Sequence, residues 1–435
     1  MDFPLPIPDD LRRALPPGTG VLLGISGGVD SAVTLALLRA LECEVQCVTF
    51  KNFCYADEEA FTDKSCCSLE AIEDARRLAR SYDAPHWVGD VEEPFRRQVI
   101  DPFIADYARA RTPKPCLDCN GVVRFPELVR LADRQGCRFA ATGHYARLVS
   151  GRLLRGLDPG KDQSYFLHRI DRRLYDRLLF PLGWYVKQDV RAAAHALGIR
   201  AAEKRDSQEI WFVPDGDRTF LFDQVPEASG GALVPGEIVN RAGELLGRHR
   251  GLIHYTVGQR RGLGVAAPEP LYVLELDLAA SRLVVGERDE LETLRITGGD
   301  FTAAVDDFPD TWQTGQSLRA GLEEDPEVRL AIRHRHAGAM VAGWSLAAGT
   351  LTVDLAEPVD GAAPGQGMVL YAGDTVLGGA RMTGAECFPH GRGRNDEDTA
   401  QIGVCGRRGP AGAGDPRAGR PAVGVHRGGG RQDRR

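Results

Sequence analysis

No apolar run in this chain of 435 residues approaches the roughly 18 uninterrupted positions that a membrane crossing needs. Its opening, MDFPLPIPDDLRRALPPG, lacks the basic start and apolar stretch of a secretory leader. Membrane insertion and export are therefore not expected, and the cytoplasm is the expected compartment. Cysteine is scarce: ten in the whole chain cannot make a disulfide scaffold, so close pairs point to metal or thiol chemistry instead. Cys43, Cys47 and Cys137 lie in or beside apolar stretches and read as small core residues. A basic excess is also missing. The formal net charge of −7 gives no global support to nucleic-acid binding, although a local basic patch can act against it.

What is present is an alternation of strands and helices from about residue 20 to 210. The runs VLLGIS, CEVQCVTF and RFAATGH are apolar and end in small or polar residues, as buried parallel strands do. DSAVTLALLRALE and SLEAIEDARRLARSY carry helical periodicity between them, with Ser68 as a cap for the second. This is the pattern of an α/β domain with a doubly wound parallel sheet, which binds ligands at the C-terminal strand edge. Hairpins follow, in GEIVNRAGELLGRHRG and LYVLELDLAASRLVVGER, and then evenly spaced short strands that suit a small barrel. The expected division is 1–213 for a nucleotide-binding catalytic domain, 214–294 for a small β-rich central domain and 295–383 for a C-terminal β-barrel. Residues 384–435 are rich in Gly and Arg and poor in core formers, the composition of a disordered tail.

The stretch GISGGVDSAV follows the first strand and opens a helix. Gly27 and Gly28 let backbone N–H groups approach an anion at a helix start, Ser26 and Ser31 add hydroxyls, and Asp30 is placed to orient a metal. The lysine of the G-x-x-x-x-G-K-[ST] loop is missing. The run fits S-G-G-x-D-S instead, the pyrophosphate loop of enzymes that cleave ATP between its α and β phosphates. Such enzymes adenylate an oxygen so that nitrogen or sulfur can displace it. In RTPKPCLDCNGVVRF, Cys116 and Cys119 form a C-x-x-C with no second pair at zinc-site spacing, which favours reactive sulfur chemistry.

Together with ATGHYAR (141–147), KDQSYFL (161–167) and YTVGQRRGLG (255–264), these motifs resemble the tRNA-specific 2-thiouridylases over about residues 20–380. The resemblance implies a Rossmann-like nucleotide domain, a small central domain and a C-terminal β-barrel. It implies ATP on Gly24, Ile25, Ser26, Gly27, Gly28, Val29, Asp30 and Ser31, with Phe50 and Gly143 nearby and Mg2+ as companion. The target uridine would enter beside Lys114, Pro115 and Cys116. His144, Lys161, Asp162, Gln163, Arg333, His334 and Gln366 would touch the tRNA. The reaction implied is ATP-dependent thiolation: adenylation of the C2 oxygen of wobble uridine 34 and its replacement by sulfur. The sulfur would come from a donor such as a cysteine desulfurase, a sulfur-relay protein or free sulfide.

One motif departs from the family. In DSQEIWFVP, Trp211 stands where many members carry the second reactive cysteine, and Cys116 stands where many carry aspartate. Sulfur delivery then falls to Cys116 and Cys119. Either Cys119 carries a persulfide that Cys116 resolves, or the pair joins a third thiolate from Cys54, Cys66 or Cys67 around an iron–sulfur cluster. The otherwise unexplained Cys54, Cys66 and Cys67 favour the cluster. Two further readings stay open: another adenylating enzyme of this loop class, making lysidine or an amide, and a tRNA-binding relic that no longer transfers sulfur.

Overall fold

The computed structural model describes residues 3–52, 69–203, 222, 231–318, 322 and 327–387. The catalytic domain is built on β1 (Gly20–Gly24), β2 (Glu44–Lys51), β3 (His86–Asp90), β4 (Phe139–Ala141) and, after a hairpin of β5 (Ala146–Val149) and β6 (Arg152–Arg155), β7 (Leu178–Leu179). The sheet order is β3-β2-β1-β4-β7, and all pairs are parallel. Central strand β1 is buried on both faces, which explains its unbroken apolar run. The helices Val29–Ala40 and Leu69–Ser81 occupy the expected positions, the second burying Ala75 and Ala79. Ser68, its expected cap, lies outside the described residues. Cys43, Cys47 and Cys137 are all buried. Burial pushes the Cys47 thiol up to about 12 and the Cys43 thiol up to about 11, so both remain protonated core groups.

The central domain is a four-stranded sheet of β8 (Gly236–Val239), β9 (Leu245–His249), β10 (Tyr272–Asp277) and β11 (Arg282–Gly286), in the order β10-β11-β8-β9. Gly243 takes the positive φ of +84° that its hairpin turn requires.

The last domain contains β12 (Glu292–Ala303), β13 (Thr311–Gln313), β14 (Val328–Ala331), β15 (Ala339–Ala347), β16 (Thr350–Asp360), β17 (Gly367–Ala372) and β18 (Thr375–Cys387). Six of these close a barrel in the order β12-β16-β15-β14-β17-β18, because β18 also pairs with β12. Two edges differ from expectation. The barrel begins at Glu292, inside the stretch assigned to the central domain, and β18 runs past 383 to Cys387. The remainder of the expected tail lies outside the described residues. The β5–β6 hairpin, which the α/β pattern did not distinguish, joins the barrel sheet through Thr375 opposite Leu154. Catalytic and barrel domains thus share a sheet and a core that runs from Leu22 and Phe125 to Val369 and Tyr371.

Candidate active site

The phosphate loop leaves β1 at Gly24 and is anchored to β2. Ile25 donates its N–H to the Val48 carbonyl at 2.9 Å, and Thr49 donates its hydroxyl to the Ile25 carbonyl at 2.9 Å. Gly27 then turns with φ +71°, and Gly28 enters the helix Val29–Ala40 in extended conformation. No side chain caps that helix start. Its first intrahelical bond is Ala32 N–H to Gly28 O, so the N–H groups of Val29, Asp30 and Ser31 have no carbonyl within the helix. Such a terminus binds an anion through its N–H groups and its dipole. Ser31 Oγ donates to Gly28 O at 3.0 Å and accepts from Ser26 N at 3.4 Å, which ties the turn.

Two neighbours press on this loop. A Cβ on Gly27 would lie 3.1 Å from Asp74 Cβ and 3.2 Å from Ala71 O, because the helix Leu69–Ser81 crosses it. A Cβ on Gly143 would lie 3.0 Å from the Asp30 carbonyl carbon. Phe50 follows Thr49 at the end of β2 and packs against Gly89 of β3.

Asp30 has a partner that sequence did not reveal. Lys187, first residue of the helix Lys187–Ala196, donates Nζ to both Asp30 oxygens at 2.6 and 2.7 Å. Tyr145 donates its hydroxyl to Asp30 Oδ1 at 2.7 Å, and the Lys187 ammonium lies 5.5 Å from the Tyr145 ring centroid. Both carboxylate oxygens are therefore engaged by protein donors.

Cys116 and Cys119 lie at the start of a second helix. Pro115 occupies its first turn, where a missing N–H does no harm. Cys116 is exposed and Cys119 buried. From Cys119 to Arg124 the helix widens into a π-helical turn before resuming at Phe125–Arg134. Gly121 within the turn meets the Arg169 backbone closely: a Cβ there would lie 2.9 Å from its carbonyl oxygen. Beneath the C-x-x-C lies a buried ion cluster. Arg381 of β18 donates to Asp118 at 2.6 Å and to Asp106 at 2.9 Å. Arg169 Nη1 lies 3.2 Å from Asp118 Oδ1, at ion-pair distance without hydrogen-bond alignment.

The residues expected to contact tRNA divide into two groups. Lys114, Pro115, Cys116, His334 and Gln366 gather where the barrel meets the thiol helix. Lys114 Nζ lies 5.7 Å from the Phe166 ring centroid, the His334 ring is 4.5 Å from the same ring, and Gln366 Nε2 donates to Thr112 O at 3.2 Å. Arg333 is exposed and donates to the Asp360 carbonyl at 3.1 Å. The second group also bonds within the protein. Asp162 Oδ1 accepts from Gly156 N and Ser164 N, each at 3.0 Å, and Gln163 Oε1 accepts from Tyr145 N at 2.9 Å. Lys161 belongs to the same turn, its N–H donating to Asp158 O. His144 is hydrogen-bonded to Thr142 Oγ1 at 2.8 Å and lies against Phe125 and Phe180. Burial, and then the Arg124 charge, push it down to about 3, so it is a neutral group and not a cation for phosphate.

The turn at 158–164 joins the two halves of the site. Asp158 Oδ2 accepts from Lys187 N at 2.8 Å, Gln163 holds Tyr145, and the Asp162 carbonyl meets His334 Nε2 at 3.0 Å. Cys54, Cys66, Cys67 and Trp211 lie outside the described residues. Among the described residues no three His, Cys, Asp or Glu side chains form a metal-binding group.

Sequence reasoning missed Lys187, Tyr145, Asp106, Asp118 and Arg381. Only Arg381 left a signal, as a lone charge in the apolar strand run VLGGARM.

Comparison with known proteins completes the description. Three family models match in order: the tRNA methyl transferase HUP domain over residues 19–215, the tRNA methyl transferase PRC-barrel domain over 219–287 and the aminomethyltransferase beta-barrel domain over 315–382. The tRNA-specific 2-thiouridylase MnmA of Geobacter metallireducens is 43% identical over 376 residues, covering 84% of this chain and 97% of that protein. The protein of the same name from Geotalea uraniireducens is 41% identical, covering 82% and 93%. That from Herpetosiphon aurantiacus is 38% identical, covering 83% and 98%. With that identity along nearly the whole of each relative, the chain belongs to the tRNA-specific 2-thiouridylase family.

Proposed function

We propose that the chain is an ATP-dependent tRNA sulfurtransferase that converts the wobble uridine to 2-thiouridine. One observation carries the reading. The uncapped start of the helix Val29–Ala40, with Gly27 at +71°, shares a domain with an exposed Cys116 at the start of a second helix. A nucleotide phosphate suits the first and an incoming sulfur suits the second. The curated relatives are named for this thiolation.

In the first half-reaction the uracil C2 oxygen attacks the α-phosphorus of ATP. The bond to pyrophosphate breaks, and the N–H groups at the helix start stabilise the charge on the leaving group. Magnesium is the expected companion, held mainly through the nucleotide phosphates. In the second half-reaction sulfur adds at C2, and AMP leaves with the original oxygen. If Cys119 carries the sulfur as a persulfide, Cys116 attacks the inner sulfur, forming a disulfide and releasing the outer sulfur to the uridine. A reductant must then restore both thiols. The persulfide's outer sulfur is sulfane sulfur passed from a donor protein's own persulfide, whose thiol leaves; free sulfide would instead attack C2 directly, with no persulfide and no disulfide formed. Lys114, His334 and Gln366, beside Cys116, are assigned to the tRNA side of the site.

The test is mass analysis of nucleosides from an unmodified tRNA incubated with the chain, ATP and a sulfide source. Formation of 2-thiouridine at the wobble position, dependent on ATP, is expected. ATP consumption that yields lysidine, an amide or no modified nucleoside would overturn the assignment.

A further inference from the structure

The two residues between the thiols are both engaged by the barrel. Leu117 is buried and seats against the start of β17: a Cβ on Gly367 would lie 3.0 Å from Leu117 Cδ1. Asp118 is buried too, and both of its oxygens accept from Arg381 Nη2 at 2.6 Å. Arg381 is held in turn by Asp106, which accepts from Nη1 at 2.9 Å. Its strand neighbours Ala380 and Met382 are buried in the barrel, so Arg381 projects from the opposite face of β18.

A buried ion cluster of this kind is weak evidence for stability, since desolvating the charges offsets most of their attraction. What a planar guanidinium adds is direction, because its fork fixes carboxylates in position and angle. Successive residues on a helix are separated by about 100° of rotation. Holding Leu117 and Asp118 against the barrel therefore fixes the rotation of the turn, and with it the directions of the flanking thiols, of which Cys116 is exposed and Cys119 buried.

We propose that Arg381 is a positioning residue for sulfur transfer. It pins Asp118 to β18 and so sets the rotation of the C-x-x-C turn and the directions of its two thiols. The proposal rests on the reading of Cys116 and Cys119 as the sulfur-handling pair.

The full chain with Arg381→Met keeps the apolar stem and loses the fork, while Arg381→Lys keeps the charge and loses the bidentate geometry. Each is compared with wild type in thermal midpoint, tRNA-dependent pyrophosphate release, 2-thiouridine formation, and the separate iodoacetamide alkylation rates of Cys116 and Cys119. The expected result for Arg381→Met is pyrophosphate release within about threefold of wild type, a thiolation kcat lower by about 30-fold, and an unchanged KM for tRNA. The ratio of the two alkylation rates should shift by about fivefold or more, and Arg381→Lys should recover part of both effects. Should Arg381→Met fail to fold, Arg381→Lys carries the test, with smaller changes in the same direction. A folded variant with thiolation kcat within twofold of wild type and an unchanged alkylation ratio would overturn the proposal. So would parallel losses of pyrophosphate release and thiolation. If wild type makes no 2-thiouridine, the functional reading fails by itself, and the alkylation ratio still reports whether Arg381 orients the thiols.

Discussion

The phosphate loop and the thiol helix belong to one domain, yet different parts of the chain hold them. The loop is shaped by neighbours from the catalytic domain: Val48 and Thr49 on β2, the helix Leu69–Ser81, Gly143 and Lys187. The thiol helix takes its partners from the barrel. Gln366 reaches Thr112 across 254 residues of sequence, and Arg381 reaches Asp118 across 263. Nucleotide activation therefore depends on a catalytic domain that is locally complete, whereas sulfur delivery needs the barrel docked. The two half-reactions should respond to different substitutions.

The largest effect is expected in the loop. Gly27→Val puts a β-branched side chain at φ +71° and against Asp74 and Ala71, so the turn cannot keep its shape. ATP-dependent pyrophosphate release should fall by about 10³-fold or more, as when a preorganised anion site is lost. Unchanged ATP affinity by calorimetry would contradict the loop assignment.

Lys187→Met should come next. It leaves the Asp30 carboxylate without its cation at a helix start assigned to phosphate, so like charges repel there. The KM for ATP should rise by about 10- to 100-fold, with the KM for tRNA little changed. An unaltered KM for ATP would separate Lys187 from the nucleotide.

The barrel offers a smaller and sharper contrast. Truncation after Thr383 removes four of the β18 residues that pair with β12, from Gly384 opposite Thr297 to Cys387 opposite Thr293. Truncation after Cys387 leaves that pairing whole. The first should lower the thermal midpoint by several degrees and the second should not. Equal midpoints would mean that the last turn of ladder bears no load.

The mildest test uses pH. His168 is fully buried beside the barrel, its ring against Gly379, and burial pushes it down to about 4. The folded chain keeps it neutral while the unfolded chain protonates it near 6.5. Its contribution is therefore full above about pH 6.5 and declines as pH falls toward about 4, by about 1.4 kcal/mol per pH unit. His168→Gln should flatten the acid side of a denaturation profile by about one proton's worth, leaving the similar effect of His144 in place. A variant with the wild-type slope would refute the assignment.

The same contrast explains what was legible in the sequence. VLLGIS, CEVQCVTF and RFAATGH read as buried strands because both their faces are covered, and they became β1, β2 and β4. The phosphate loop was readable because its chemistry is contained in eight consecutive residues. Local patterns carry local structure. The β5–β6 hairpin turns on Ser150 and Gly151, both at positive φ, a two-residue signal hidden between longer motifs. Arg381 stands out only as a lone charge in an apolar run, and nothing in its neighbourhood or in that of Asp118 names the other. Lys187 opens a helix whose pattern explains it without Asp30. Asp162 and Gln163 have side chains that bond to groups within the protein, which residue type alone does not show.

The most direct test runs Gly27→Val and Cys119→Ser beside wild type on one unmodified tRNA with a persulfide-bearing sulfur donor, measuring pyrophosphate release and 2-thiouridine together. The account predicts that Gly27→Val loses both. Cys119→Ser should still release pyrophosphate in a tRNA-dependent manner while forming no 2-thiouridine. A Cys119→Ser chain that thiolates tRNA, or a Gly27→Val chain that thiolates without releasing pyrophosphate, would contradict it.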